Sequence, residues 1–218
     1  MRKTLLLLPV VCLIVLGLAG AGCTTTQKTA TPTASPAGTT TPATTVTATP
    51  SSTASLTFNT TESDSAILAE KNGQWAVSAL ASSTYGDATG TESWSPMHAT
   101  GQPNVETYGD HGTAWAPKEK NKGMEYLEMI YTDPVTPTGV RIRESYGSGC
   151  VTKVELKDTN GVWHEIWSGV DTTRGLSYLQ IPVTGATYKT KTVKITFDTT
   201  KTPNEWAEID AVQLVGTK

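Results

Sequence analysis

Trp94-Ser-Pro-Met-His-Ala-Thr-Gly-Gln-Pro-Asn104, continued by Tyr108-Gly-Asp-His-Gly-Thr-Ala-Trp115, has neither the period of two of a strand nor the 3.6 of a helix, yet it stands between segments that alternate. Glycine–polar pairs and prolines mark it as loop. A structureless stretch of this length inside a compact domain is uncommon, and is disordered, functional or held by something. Disorder fits badly, because Trp94, Tyr108 and Trp115 are costly to leave in water. The stretch therefore reads as an ordered, packed loop at one end of a β domain, and any binding site is expected on or beside it.

Working outward, the 218 residues are 37% hydrophobic with a formal net charge of -3, which allows one domain of ordinary size and a further segment. The weakly acidic balance, without a basic stripe interleaved with aromatics, argues against nucleic acid as a partner. Cys12 and Cys23 fall in or at the end of the N-terminal apolar run, so Cys150 is the only thiol in the body of the chain and no disulfide can close within it.

Met1-Arg-Lys followed by the apolar run Leu5–Leu18 reads as a secretory signal. Gly20-Ala-Gly-Cys23 resembles a lipobox, whose cysteine becomes the lipid-modified N-terminus; Gly20 departs from the leucine usual at its position. Cleavage after Ala21 with secretion, or an uncleaved membrane segment, are the alternatives. Residues 1–23 are thus taken as signal with Cys23 as lipid anchor, on the extracellular face of the membrane. Residues 24–61 are threonine, proline, alanine and serine with almost no large apolar side chain, too little to offset chain entropy, and read as a disordered stalk. Its composition suits O-glycosylation, and Asn59-Thr-Thr61 is a sequon at its outer end.

Residues 62–73 form a lead-in in which Ser65–Glu70 suits a helical turn or a strand equally. Residues 74–218 read as the folded domain. A first strand is expected at Gln74–Ala81. From Glu125 onward strands recur at short spacing: Tyr126–Tyr131, closed by Asp133-Pro134 and Pro137; Val140–Glu144, with Arg141 and Arg143 outward; Val151–Lys157; Val162–Trp167; Leu176–Ile181; Thr192–Phe197; Glu208–Leu214. Asn160-Gly161 predicts a type I′ hairpin turn. With no amphipathic helix of useful length, the pattern predicts an all-β, antiparallel, eight-stranded sandwich or jelly roll.

Several segments, taken in order, resemble a known family: Trp94-Ser-Pro, Ala99-Thr-Gly-Gln-Pro-Asn104, Tyr108-Gly-Asp110, Ala114-Trp-Ala-Pro117, Glu125-Tyr-Leu-Glu128, Val140–Glu144, Val151–Leu156 and Asn204-Glu-Trp-Ala-Glu-Ile-Asp-Ala-Val212. The chain from Gln74 to Val215 is similar to the galactose-binding-like β-sandwich, nearest to its discoidin-like, coagulation-factor type C modules. The resemblance implies an eight-stranded jelly roll, usually non-catalytic, that binds sugars, lipid head groups or proteins through loops at one end. The disulfide of many such modules is absent here.

The resemblance also implies a structural calcium between the first loop and the last strand. Calcium takes several oxygens on a chain that can curl, and Asn104, Asp110 and Glu208 are the expected ligands. Zinc at His98 and His111 has little behind it, since no His-x-x-x-His or Cys-x-x-Cys spacing supplies a tight set. Ligand contact is expected from Tyr85, Trp94, His98, Tyr108 and His111, with Arg143 and Tyr146 beside them. Trp115 and Trp206 are expected to be structural. No Gly-x-Ser-x-Gly elbow, His-Glu-x-x-His or phosphate loop supports catalysis. The functional expectation is a surface-tethered, non-catalytic module for carbohydrate or another envelope component; a protein-docking adhesion role is the alternative, and a hydrolase a remote one.

Overall fold

The computed structural model describes residues 63–90 and 92–218. The signal, Cys23, the stalk and the sequon at Asn59 lie outside the described residues. Among the described residues no helix is long and apolar enough to cross a membrane.

The lead-in is helical. Helix α1, Asp64–Leu68, starts where Ser63 Oγ accepts from Ala66 N, with Asp64 in its first turn, the two features that favour a helix N-terminus. Ile67 is fully buried, and its carbonyl accepts from Gln213 Nε2 at 3.0 Å.

Eight strands follow: β1 (Gly73–Trp75), β2 (Ser78–Ala81), β3 (Met124–Tyr146), β4 (Val151–Asp158), β5 (Trp163–Ser168), β6 (Ser177–Pro182), β7 (Thr190–Asp198) and β8 (Glu208–Thr217). All pairings are antiparallel, in the order β1-β8-β3-β7-β4-β5, with β2 and β6 also on β3. β3 generates both layers. Its first half pairs with β2 and β7, its second half with β6 and β8, and the register against β7 shifts between Ile130 and Val135. This is the eight-stranded antiparallel sandwich that the resemblance implies.

Three local expectations change. Tyr126–Tyr131 and Val140–Glu144 are halves of one 23-residue strand. Pro134 and Pro137 do not end it, because a missing N–H is tolerated where a strand leaves one partner for another. Gln74–Ala81 is two strands: Ala76 N donates to Val212 O in one sheet and Val77 N to Ile130 O in the other, so the chain changes layer between them. The hairpin at Asn160-Gly161 is not type I′, which needs positive φ at both residues; only Gly161 has it, at 89°. Gly161 N donates to Asp158 O and Asp158 N to Val162 O, while Asp158 Oδ1 accepts from Asn160 N and Val162 N. That is the longer loop closed by a left-handed glycine.

Leu127, Met129, Val154, Leu156, Val193, Ile195 and Phe197 from one layer and Val140, Ile142, Ile181, Val212 and Leu214 from the other form the core, all within 2% of full burial. Cys150 joins it, and burial pushes its thiol well up. At about 1.5–3 kcal/mol for each large aliphatic or aromatic side chain removed from water, this core carries the sandwich without a disulfide.

Candidate functional site

The long loop is stitched to β8 rather than left to solvent. Trp115, completely buried, exchanges backbone hydrogen bonds with Ile209 (2.9 and 3.0 Å) and donates Nε1 to Ser83 O at 3.2 Å. Its ring lies 5.4 Å from that of Phe197, centroid to centroid. Trp94 N donates to Gly112 O, and Trp94 O accepts from Ala116 N and from Thr84 Oγ1. These bonds hold Trp94 at φ 61°. A bulky residue rarely adopts that left-handed conformation, which costs on the order of 1–3 kcal/mol. The result is to turn the indole outward across the loop.

Around it lies an open pocket of about 90 Å³ lined by Tyr85, Trp94, Asp110, Ala116, Trp206 and Glu208. Tyr85 meets Trp94 edge-on at 5.2 Å and Trp206 at 5.8 Å between ring centroids. Trp94 Nε1 donates to Asp110 Oδ1 at 3.0 Å. Glu208, at the start of β8, is 1% exposed. Its Oε2 accepts from His111 N at 3.0 Å, but its Oε1 has no hydrogen-bond partner, and neither does Trp206 Nε1. Burial, reinforced by the adjoining Asp110 carboxyl and opposed by the His111 N–H, raises the Glu208 pKa to about 8.

Two residues along β8, Asp210 is completely buried and fully engaged. It accepts from Asn104 N at 3.0 Å and Val105 N at 3.3 Å, and Arg143 Nε stands 3.1 Å from Oδ2. Arg143 also donates to Asp64 Oδ2 at 2.8 Å and to Val105 O at 3.3 Å, and its guanidinium lies 5.0 Å from the Tyr178 ring centroid. Burial raises the Asp210 pKa; the two N–H donors and Arg143 oppose that rise.

Of the residues expected at the site, Tyr85, Trp94, Asp110 and Glu208 come together in one pocket. Tyr108, His111 and Tyr146 flank it. Tyr108 packs edge-on against Tyr146 at 5.5 Å and donates its hydroxyl to Glu205 Oε2 at 2.7 Å, and His111 Nε2 is 3.1 Å from Thr107 Oγ1. His98 sits in a short 3-10 helix, Pro96–Ala99, and is not a lining residue. Arg143 is not at the loop-end surface: at 6% exposure it is a buried structural charge. Alternation placed it outward with Arg141, but α1 and the loop at 103–106 cover that face.

The expected calcium ligands are divided. Asp110 and Glu208 share the pocket, whereas Asn104 lines a different groove with Arg143 and engages Asp210 through its backbone. Among the described residues no group of three or more His, Cys, Asp or Glu is gathered that could hold a metal. Trp206, expected to be structural, lines the pocket. The available signal was its place in Asn204-Glu-Trp-Ala-Glu208, two residues from the pocket carboxylate.

The family model for the pappalysin-1 SD scarf domain, C-terminal, matches residues 66–218. No curated protein matches the sequence. Solved structures similar to the chain include the F5/8 type C domain of a Bacteroides fragilis protein, at 16% identity over 68% of this chain and 99% of that one, TM-score 0.49. Chitosan-binding module 1 of a Paenibacillus sp. IK-5 chitosanase/glucanase is 16% identical over 65% of this chain and 96% of its own, TM-score 0.47. A family 32 carbohydrate-binding module from C. perfringens in complex with galactose is 16% identical over 65% and 98%, TM-score 0.47.

Proposed function

The chain belongs to the family of the pappalysin-1 SD scarf domain, C-terminal, and from its loop-end geometry we propose that its sandwich is a non-catalytic carbohydrate-binding module. The observation that carries this reading is the pocket itself. Three aromatic rings offer apolar faces of the kind that pack on pyranose C–H groups, and buried Glu208 presents an oxygen without a protein partner. A sugar hydroxyl satisfies such an oxygen where water would otherwise have to.

In this reading the module is presented at the cell surface, with Cys23 lipid-modified and residues 24–61 as the spacer. Replacing Cys23 by serine is expected to release the protein or leave an unprocessed precursor; membrane retention at mature size contradicts the anchor. Binding is tested on a glycan array with the whole chain and its Tyr85→Ala variant. Saccharide binding that the variant loses supports the proposal. An array without signal, together with capture of a surface protein through the same residues, replaces it with the docking reading.

A further inference from the structure

The segment between β7 and β8 does more than carry Trp206 into the pocket. Lys201, the last residue of the short 3-10 helix Thr199–Lys201, begins a run to Glu205 that lines a neighbouring groove of about 460 Å³, completed by the chain at 148–149 and 174–175. Gly149 has φ 95°, and a Cβ there would collide with Arg174 Nη1. Glycine at this position lets the guanidinium lie across the backbone, where it donates to Thr173 O.

Three cations gather here although the whole chain carries a net charge of -3. Arg174 and Lys201 line the groove and are exposed. Lys120 Nζ donates to Asn204 O at 3.5 Å and stands 4.9 Å from the Trp206 ring centroid, so it touches one residue of the groove and one of the pocket. Among the described residues none of the three forms an ion pair. The acid that lines the groove, Glu205, accepts the Tyr108 hydroxyl at 2.7 Å. Beneath Arg174, burial and the adjoining Asp171 raise the Glu144 pKa well above its ordinary value, which keeps that carboxyl from neutralising the guanidinium, and Asp171 itself accepts from Val151 N and Thr173 N. Exposed cations of one sign around one groove form a field for an anion.

We propose that this groove takes a sulfate ester carried by a saccharide, so that the ligand of the module is a sulfated glycan. This rests on the carbohydrate-binding reading: pocket and groove share the Lys201–Trp206 segment, and one oligosaccharide can engage both. A sulfate ester is a permanent anion with three acceptor oxygens, which a guanidinium, an ammonium and the exposed Asn204 amide can share. A carboxylate, with two coplanar oxygens, is satisfied by one guanidinium fork and would leave Lys201 unanswered. A lipid head group fits less well, because the exposed rim at Lys201, Pro203 and Asn204 carries no large apolar side chain to enter a bilayer.

The test is a glycan array of matched oligosaccharide pairs with and without sulfate esters, with uronate oligosaccharides and phosphatidylserine vesicles as further arms. Among the saccharides that bind, the sulfated member of a pair is expected to bind about tenfold more tightly, the size that two or three exposed charge contacts supply together. The double variant Arg174→Gln/Lys201→Gln, verified as folded by thermal melting, is expected to lose that preference while binding the unsulfated member as the parent does. Equal affinity within the pairs overturns the sulfate assignment and leaves the carbohydrate module standing; binding of no saccharide overturns both. Uronates or vesicles bound as tightly as the sulfated glycan overturn it too, as does a preference that the double variant keeps.

Discussion

Glu208 and Asp210 stand two residues apart on the last strand, both buried, and have opposite fates. Every oxygen of Asp210 is answered, by Asn104 N, Val105 N and the Arg143 guanidinium. Glu208 receives one backbone N–H, from His111, on Oε2; its Oε1 has no hydrogen-bond partner, and the nearby Asp110 carboxyl helps to raise its pKa. The first arrangement fastens the long loop to the sheet. The second leaves an unmet demand at the mouth of a pocket. Residue type and burial are nearly the same, so the difference lies in the donors that the loop delivers. Where the loop delivers two N–H groups and β3 adds the Arg143 guanidinium, the acid is structural; where the loop delivers one N–H, the acid is available to a ligand.

The largest effect is expected from the structural acid. Asp210→Ala leaves Arg143 buried beside two unpaired N–H groups, and removing one member of a buried pair costs about 3–5 kcal/mol. Chemical denaturation is expected to register that loss. If Asp210→Ala melts like the parent, the network is not what holds the loop.

pH separates the pair next. The folded pKa of Glu208 is raised from the ordinary 4.5 to about 8, so between those values the folded chain keeps a proton that the unfolded chain releases. Stability therefore falls as pH rises across that window, by at most about 1.4 kcal/mol per pH unit for one carboxyl. Glu144, which burial beside Asp171 raises well above the carboxylate range, and Asp210 add in the same direction. Thermal melts are expected to run higher at pH 5 than at pH 8. Glu208→Gln, a mimic of the protonated acid, is expected to flatten the slope and raise the melting temperature at pH 8. A steeper slope in that variant contradicts the assignment.

Much of the fold could be read from residue patterns, because alternation and turn residues act locally. Val140, Ile142, Val154 and Leu156 point inward as alternation requires. The features that local pattern does not encode depend on contacts distant in sequence. The continuity of β3 through Pro134 follows from a change of partner that no local pattern encodes. Arg143 alternates outward but is covered by α1, an element 79 residues away along the chain. Asp210 had nothing to distinguish it from Glu208, since its role is defined by two backbone N–H groups of the loop. The pocket was half legible: unpaired aromatics and acids in an aperiodic stretch marked Tyr85, Trp94 and Asp110, whereas Trp206 joins them only through the closing of the sandwich.

Smaller effects sharpen the same contrast. Tyr85→Ala removes a ring that is mostly exposed, so it is expected to weaken saccharide binding about tenfold, within the range of an interface hot spot, while moving the melt by no more than a degree or two. Calcium is expected to matter least. Arg143 supplies a positive charge beside Asp210, and Asn104 lies in a separate groove from Asp110 and Glu208. Melts with calcium and with chelator should superimpose, and a shift of several degrees would restore a metal to the loop.

The most direct measurement compares Glu208→Gln with Asp210→Asn, each carried through a thermal melt and a titration with the saccharide that the glycan array selects. The predicted result is a crossed pattern: Asp210→Asn lowers the melting temperature sharply, and whatever fraction remains folded still binds, while Glu208→Gln melts at or above the parent temperature at pH 8 and loses the ligand. Parallel losses of stability in the two variants, with binding retained by Glu208→Gln, would contradict the division of labour along the strand.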